Sequence, residues 1–297
     1  MRKKIAVLLV AVLLLTGCAG KKQPAGQTGT GDNPGQTGEQ TTDKPGNGER
    51  AVSFKVETVR FDGTEKTDEG VMLVSYAFQV PMLTVCREDG TQVTEAKNKT
   101  EEEALAKAQT FNTKFEEWTQ AADIEGMAAS AKEHLESMKE FDSPWVGGYA
   151  MDLSCGIYQT ERMVSVSAVY YSYTGGAHPN TYHMGWNFDL ETGSFLDVKM
   201  LGEDDGLQKA VTEEILRRAK QVQGADEWIP IEMYWEDHES IIADWSSYAV
   251  GFDEEGMTVI FSAYELAPYA AGAQEFHFTY EFLEPYLSAQ GKLLLGL

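Results

Sequence analysis

The chain has 297 residues and a formal charge of −23, with 24 Lys and Arg against 47 Asp and Glu. A balance this acidic argues against a nucleic-acid binder and against direct adhesion to anionic lipid or teichoic acid. It favours cationic partners, or serves only solubility. The three cysteines, Cys18, Cys86 and Cys155, are too few for a disulfide framework. Two buried free thiols at 86 and 155 are the favoured reading, with one bridge between them as the alternative.

The first element is a leader. Arg2, Lys3 and Lys4 precede an unbroken apolar run over residues 5–15. That run is shorter than the ~20 residues a bilayer-spanning helix needs, and its length suits the core of a signal peptide. It ends in Leu15-Thr16-Gly17-Cys18, which looks like a bacterial lipobox. The expectation is a signal peptide over 1–17 and a lipid on Cys18. The mature chain would then be exported and tethered to the outer face of the cytoplasmic membrane, or to periplasmic or outer-membrane leaflets in a diderm. Residues 18–50 hold Gly, Gln, Thr, Pro and Lys with almost no large apolar residue, so they read as a disordered linker.

Apolar patterning returns at residue 51, and enough chain follows for one large domain or two closely associated ones. Alternation predicts strands at 52–61 and 71–83, joined as a hairpin, with Pro81 marking an edge or bulge. Thr100 and Glu103 have capping-box spacing, and Ala104, Leu105, Ala108, Phe111, Phe115 and Trp118 recur at helical intervals. A second helix is expected over 128–141. Paired strands follow at 144–159 and 162–173 around a Thr160-Glu161 turn, and another at 182–190 that resumes at 195–201. A helix is expected over 204–223, with Leu207, Val211, Ile215 and Leu216 inward. A short helix over 236–245, a hairpin over 247–264, a strand near 275–279 and a terminal helical turn complete the chain. Without strict βαβ alternation, this is α+β: mainly antiparallel sheets packed with a few helices.

Two loops concentrate unusual residues. The first is SYTGGAHPN at 172–180. It lacks the Lys of a phosphate-binding loop, and a strand rather than a helix follows it. His178 and His183 have no HExxH or CxxC company, so no metal site is expected. No GxSxG elbow accompanies His178, so no catalytic residue and no cofactor are assigned. The expected role is structural: Gly175 and Gly176 supply positive φ, Pro179 pushes His178 toward extended geometry, and His178 pins the loop. The second loop is YELAPYAAG at 264–272, closed by Gly272. Tyrosines on a Pro/Gly loop suit recognition surfaces. Here Tyr264 is expected to pack inward, with Tyr269 left open. Trp228, Tyr234, Trp235 and Trp245 read as core rather than as a carbohydrate platform.

GGAHPN after a Tyr-rich strand, NFDLETGSFLDVKML at 187–201 and YELAPYAAG before a strand occur in one order. This order resembles the extracellular region shared by RsiV-type anti-sigma factors and PdaC-type peptidoglycan deacetylases. The resemblance covers about 52–288, and it implies two closely associated subdomains, a PdaC N-terminal-like one over 51–185 and an RsiV C-terminal-like one over 186–297. It implies a non-catalytic recognition module, with lysozyme or another cationic protein as partner, or else peptidoglycan. Tyr173, His178, Pro179, Tyr182 and Tyr269 become the candidate ligand contacts, and Gly175, Gly176 and Gly272 the structural positions. A lipobox stands where the anti-sigma factor has a membrane helix, and no deacetylase module follows, so only recognition is expected to carry over. The alternatives are a cell-wall polymer hydrolase or deacetylase-associated enzyme with an acid pair near His178, and a structural envelope lipoprotein.

Overall fold

The computed structural model describes residues 52–145, 147–220, 233–246 and 248–297; Cys18, the leader, the linker and Trp228 lie outside them. Strands β1 (Val52–Lys66) and β2 (Met72–Arg87) form the expected antiparallel hairpin. Helices α1 (Lys99–Ala121) and α2 (Ile124–Glu140) then cross over, so that β3 (Tyr149–Gln159) enters parallel to β2. Strands β4 (Met163–Tyr173), β5 (Asn180–Asp189) and β6 (Ser194–Phe195) follow antiparallel, completing a six-stranded sheet in chain order. The sheet therefore runs through residues 185 and 186. Both helices cover one face, over a core that includes Phe78, Phe111, Phe115, Leu153, Val166 and Phe188.

Two local details follow from tertiary contacts. Leu83 turns both its N–H and C=O away from β1, to the side-chain amide of Asn112 on α1, at 2.7 and 3.0 Å. Pro81 shares that orientation, and its missing N–H falls where pairing with β3, confined to Val74–Phe78, has ended. The N-cap of α1 is Asn98 rather than Thr100: the Asn98 side-chain Oδ1 accepts from the Glu101 N–H at 2.9 Å. Glu101, only 2% exposed, accepts from the Lys97 N–H and from a forked Arg87 guanidinium at 2.7 and 3.0 Å. This buried pair, made with the end of β2, sets the helix start earlier than the Thr100 spacing implies.

The remaining chain builds a second layer. Helices α3 (Gly206–Lys220) and α4 (His238–Ala243) precede strands β7 (Ala249–Phe252), β8 (Gly256–Phe261) and β9 (Gln274–Thr279), which pair antiparallel in that order. Helices α5 (Tyr280–Leu283) and α6 (Ala289–Leu295) close the chain. Its core includes Val211, Ile215, Val259, Phe261, Phe276 and Phe278. The segment expected as a strand at 195–201 is instead the two-residue β6 followed by a 3-10 turn, Val198–Leu201, capped by Asp197. Among the described residues no helix is long and apolar enough to cross a membrane.

The layers meet where β7 lies on the face of β4 and β5. Ser165 accepts from the Phe252 N–H at 2.9 Å, and Asn187 donates to the Val250 carbonyl at 3.0 Å. The backbones approach closely: a Cβ on Gly185 would stand 2.2 Å from the Val250 oxygen, and one on Gly251 would stand 2.0 Å from the Ser167 hydroxyl. Gly185→Val should therefore destabilise by about 1–3 kcal/mol or more. Gly156→Ala on β3, whose nearest neighbour would be 3.8 Å away, should be close to neutral. Chemical denaturation of the two variants tests this contrast.

Glu101 gives a pH prediction. Its carboxyl is held below the ordinary value of 4.5, first by the Arg87 hydrogen bond and then by the Lys97 N–H. A lowered pKa contributes stability that is complete above 4.5 and is lost as the pH falls through the lower folded value. The melting-temperature advantage of wild type over Glu101→Gln should be full at neutral pH and shrink in acid below that value.

Candidate functional site: an aromatic patch where the two loops meet

The loop between β4 and β5 turns on Gly175 and Gly176, at φ +85° and +99°. These are backbone conformations that a Cβ disfavours. Tyr173 donates its hydroxyl to the Gly176 carbonyl at 3.2 Å, inside the loop. His178 Nδ1 lies 3.0 Å from the Pro179 carbonyl oxygen, which can only accept. The proton is thereby assigned to Nδ1, leaving Nε2 as an acceptor 3.4 Å from the Tyr264 hydroxyl.

The second loop is fixed from several sides. Ser262 accepts from the His183 N–H at 2.9 Å, tying the end of β8 to β5. The Ser262 N–H donates to the half-buried Glu265 carboxylate. Burial pushes the Glu265 carboxyl up, opposed by its hydrogen bonds from Ser262. Trp235 donates its indole N–H to the Tyr264 carbonyl at 3.0 Å and its backbone N–H to Leu266 at 2.8 Å. Tyr269 begins a single 3-10 turn, Tyr269–Ala271, which Gly272 ends at φ +69°. The buried amide of Gln274 holds that turn through the Ala271 carbonyl at 2.9 Å.

These constraints join the two loops. The imidazole of His178 stacks on Tyr269, with ring centres 3.7 Å apart and planes 14° from parallel. Tyr264 stands 5.6 Å from Tyr269 and 6.3 Å from His178. Tyr264 does not pack inward as its sequence context suggested. It sits at φ +75° and is 52% exposed, because the hydrogen bonds from Trp235 and the Glu265 side of the loop turn its ring outward. Trp235, read as core, is 37% exposed beside it, whereas Tyr234 and Trp245 are buried.

Of the expected contacts, His178 and Tyr269 form the patch and Pro179 adjoins it. Tyr173 is engaged within its own loop. Tyr182 stands opposite Tyr170 in the β4–β5 register. It lies on the face shared with Met184 and Trp186, which pack with the first core, and so on the opposite side of β5 from the junction. His183 faces the second layer, where desolvation lowers its pKa against a raising influence of Glu275. Among the described residues no group of three or more His, Cys, Asp or Glu could hold a metal. Cys86 and Cys155 are not bridged to one another. Cys155 is half-buried and donates to the Gln79 carbonyl at 3.2 Å, and burial pushes its pKa up to about 12.

The architecture defines an α+β protein of two packed sheet layers, with a surface aromatic patch assembled from both. Residues 80–181 match the family described as "Deacetylase PdaC", and residues 202–281 match "Protein of unknown function (DUF3298)". The chain thus carries a PdaC/DUF3298-type domain, as its resemblance to the RsiV/PdaC-type region implies. His178 lies in the first match, and Tyr264 and Tyr269 lie in the second. A crystal structure of a DUF3298 family member from Bacteroides fragilis is similar at 16% identity and a TM-score of 0.56, covering 83% of this chain and 98% of that one. At this identity the likeness shows the fold alone. A DUF3298 family protein from Pseudomonas aeruginosa aligns at 15% identity and a TM-score of 0.44, over 81% of this chain and 96% of that one. No curated protein matches the chain.

The loop geometry predicts an order of costs. A Cβ on Gly176 would meet open space, so Gly176→Ala carries only the backbone strain, about 1–3 kcal/mol. Gly175→Ala adds contact with the His134 ring at 3.0 Å and should cost more. His178→Ala loses one ring stack and should cost about 0.5–1.5 kcal/mol. Urea unfolding of the three variants checks the order.

Proposed function

We propose that the protein is an exported lipoprotein, held at the membrane by lipid on Cys18, whose domain is a non-catalytic recognition module for a cationic protein of the lysozyme type. The observation that carries this reading is the meeting of His178 with Tyr264 and Tyr269. One loop from each matched segment contributes to a single, partly exposed aromatic surface. Rigid aromatics give contact area at low entropic cost. The charge of −23 supplies the long-range attraction, which speeds encounter and is screened by salt. A non-catalytic role is supported by the hydrogen bonding of His178. Its ring nitrogens face a backbone carbonyl and a tyrosine hydroxyl, and among the described residues no carboxylate is hydrogen-bonded to it.

Biolayer interferometry of the detergent-solubilised full chain against lysozyme tests the reading. Saturable binding is expected, with an on-rate that falls between low and physiological salt. Tyr269→Ala should raise the off-rate while the melting curve stays cooperative. Absence of saturable binding at low salt overturns the partner, and binding indifferent to both loops reduces it to charge alone. Separately, Cys18→Ala should abolish palmitate incorporation and release the protein from the membrane fraction. Incorporation that persists contradicts the anchor.

A further inference from the structure

The patch has a more specific chemistry than acidity. We propose that it is an arginine-binding surface, which seats the guanidinium of a partner's arginine over the exposed ring of Tyr264 in preference to a lysine ammonium. This deepens the recognition reading above and rests on it. Three observations lead here. First, Tyr264 is more than half exposed although its backbone is left-handed, a conformation costly for an aromatic residue. Trp235 grips the chain at the Tyr264 carbonyl itself and at the Leu266 carbonyl two residues on. The ring is thus held outward rather than left to pack.

Second, the rings form a fixed π surface. His178 lies flat on Tyr269 at 3.7 Å, and Tyr264 adjoins both. Third, the segments that carry the rings bear formal charge of one sign only. The segments that build the patch, 172–183, 233–246 and 262–275, contain no Lys or Arg. Exposed Glu236 and Asp237 follow Trp235 directly, and exposed Glu275 follows the 3-10 turn on β9. A flat aromatic surface within an acidic rim discriminates between the two basic side chains. A guanidinium is planar and weakly hydrated, so it can stack on a ring and still reach a carboxylate with its edge. An ammonium is compact and holds its water.

The test uses the full chain in detergent micelles with labelled octa-arginine and octa-lysine peptides, equal in charge, at one ionic strength, read by fluorescence anisotropy. Octa-arginine should bind roughly two- to five-fold more tightly than octa-lysine, on the scale of one exposed cation–π contact. Tyr264→Phe, which keeps the ring, should retain that preference, and Tyr264→Leu should remove it. On the unmutated protein, the His178 Cε1–H resonance should shift with octa-arginine and stay in place with octa-lysine. Equal affinity for the two peptides overturns the proposal, as does a preference that survives in folded Tyr264→Leu or an unmoved His178 resonance. If lysozyme fails to bind but the Tyr264-dependent arginine preference holds, the lysozyme-type partner is wrong and the arginine surface stands. If lysozyme binds equally well to wild type and Tyr264→Leu, recognition stands and this inference falls.

Discussion

The outer edge of β7 is the constraint on which the arrangement of this molecule depends. β7 is an edge strand of its own sheet, and residues 250 and 252 turn their backbone groups away from β8. Buried against another layer, such groups would be costly without partners. The face of the large sheet supplies those partners, Asn187 for the Val250 carbonyl and Ser165 for the Phe252 N–H. The bonds require backbone-to-face contact closer than ordinary side-chain packing allows, and Gly185 and Gly251 make room for it. Hydrogen bonds are directional, so this seating fixes the position of the second sheet more narrowly than apolar packing would.

From that seating the patch follows. β5 leaves the GGAHPN loop and immediately enters the junction, and the Ser262 hydroxyl takes the His183 N–H where β8 ends. The loop after β8 is thereby delivered beside the loop before β5. Each loop is rigid for its own local reasons: positive-φ glycines in one, a Gln274-held 3-10 turn and the Trp235 grip in the other. What makes them one surface is the strand seating between them. The surface is a property of both layers together, and neither family-matched segment contains it alone.

This division explains what could be read from the chain. Period-two alternation marks β1, β2 and β4, and helical spacing marks α1 and α3, because each buries one face against a core. The glycines at 175 and 176 announce their turn because little else tolerates those dihedrals. Long-range partners hid the rest. Arg87, on the strand 14 positions before Glu101, takes it into a buried pair and moves the N-cap to Asn98. In α6, a Cβ on Gly291 would stand 2.1 Å from the Leu201 carbonyl oxygen, so a distant segment's close approach demands glycine within the helix. The outward turn of Tyr264 depends on an indole 29 positions away, and no local pattern announces it. Strand alternation does put Tyr182 and His183 on opposite faces of β5, but which face meets the second layer is decided by Ser165, Gly185 and Asn187 acting together.

The central claim is that one loop from each layer meets in a single ring stack. A double-mutant cycle on unfolding free energy, with His178→Ala and Tyr269→Ala singly and combined, tests it most directly. The account predicts that the two losses are not additive, with a coupling of about 0.5–1.5 kcal/mol between residues far apart in the chain. Strict additivity would contradict it, since two loops that do not touch have no interaction left to share.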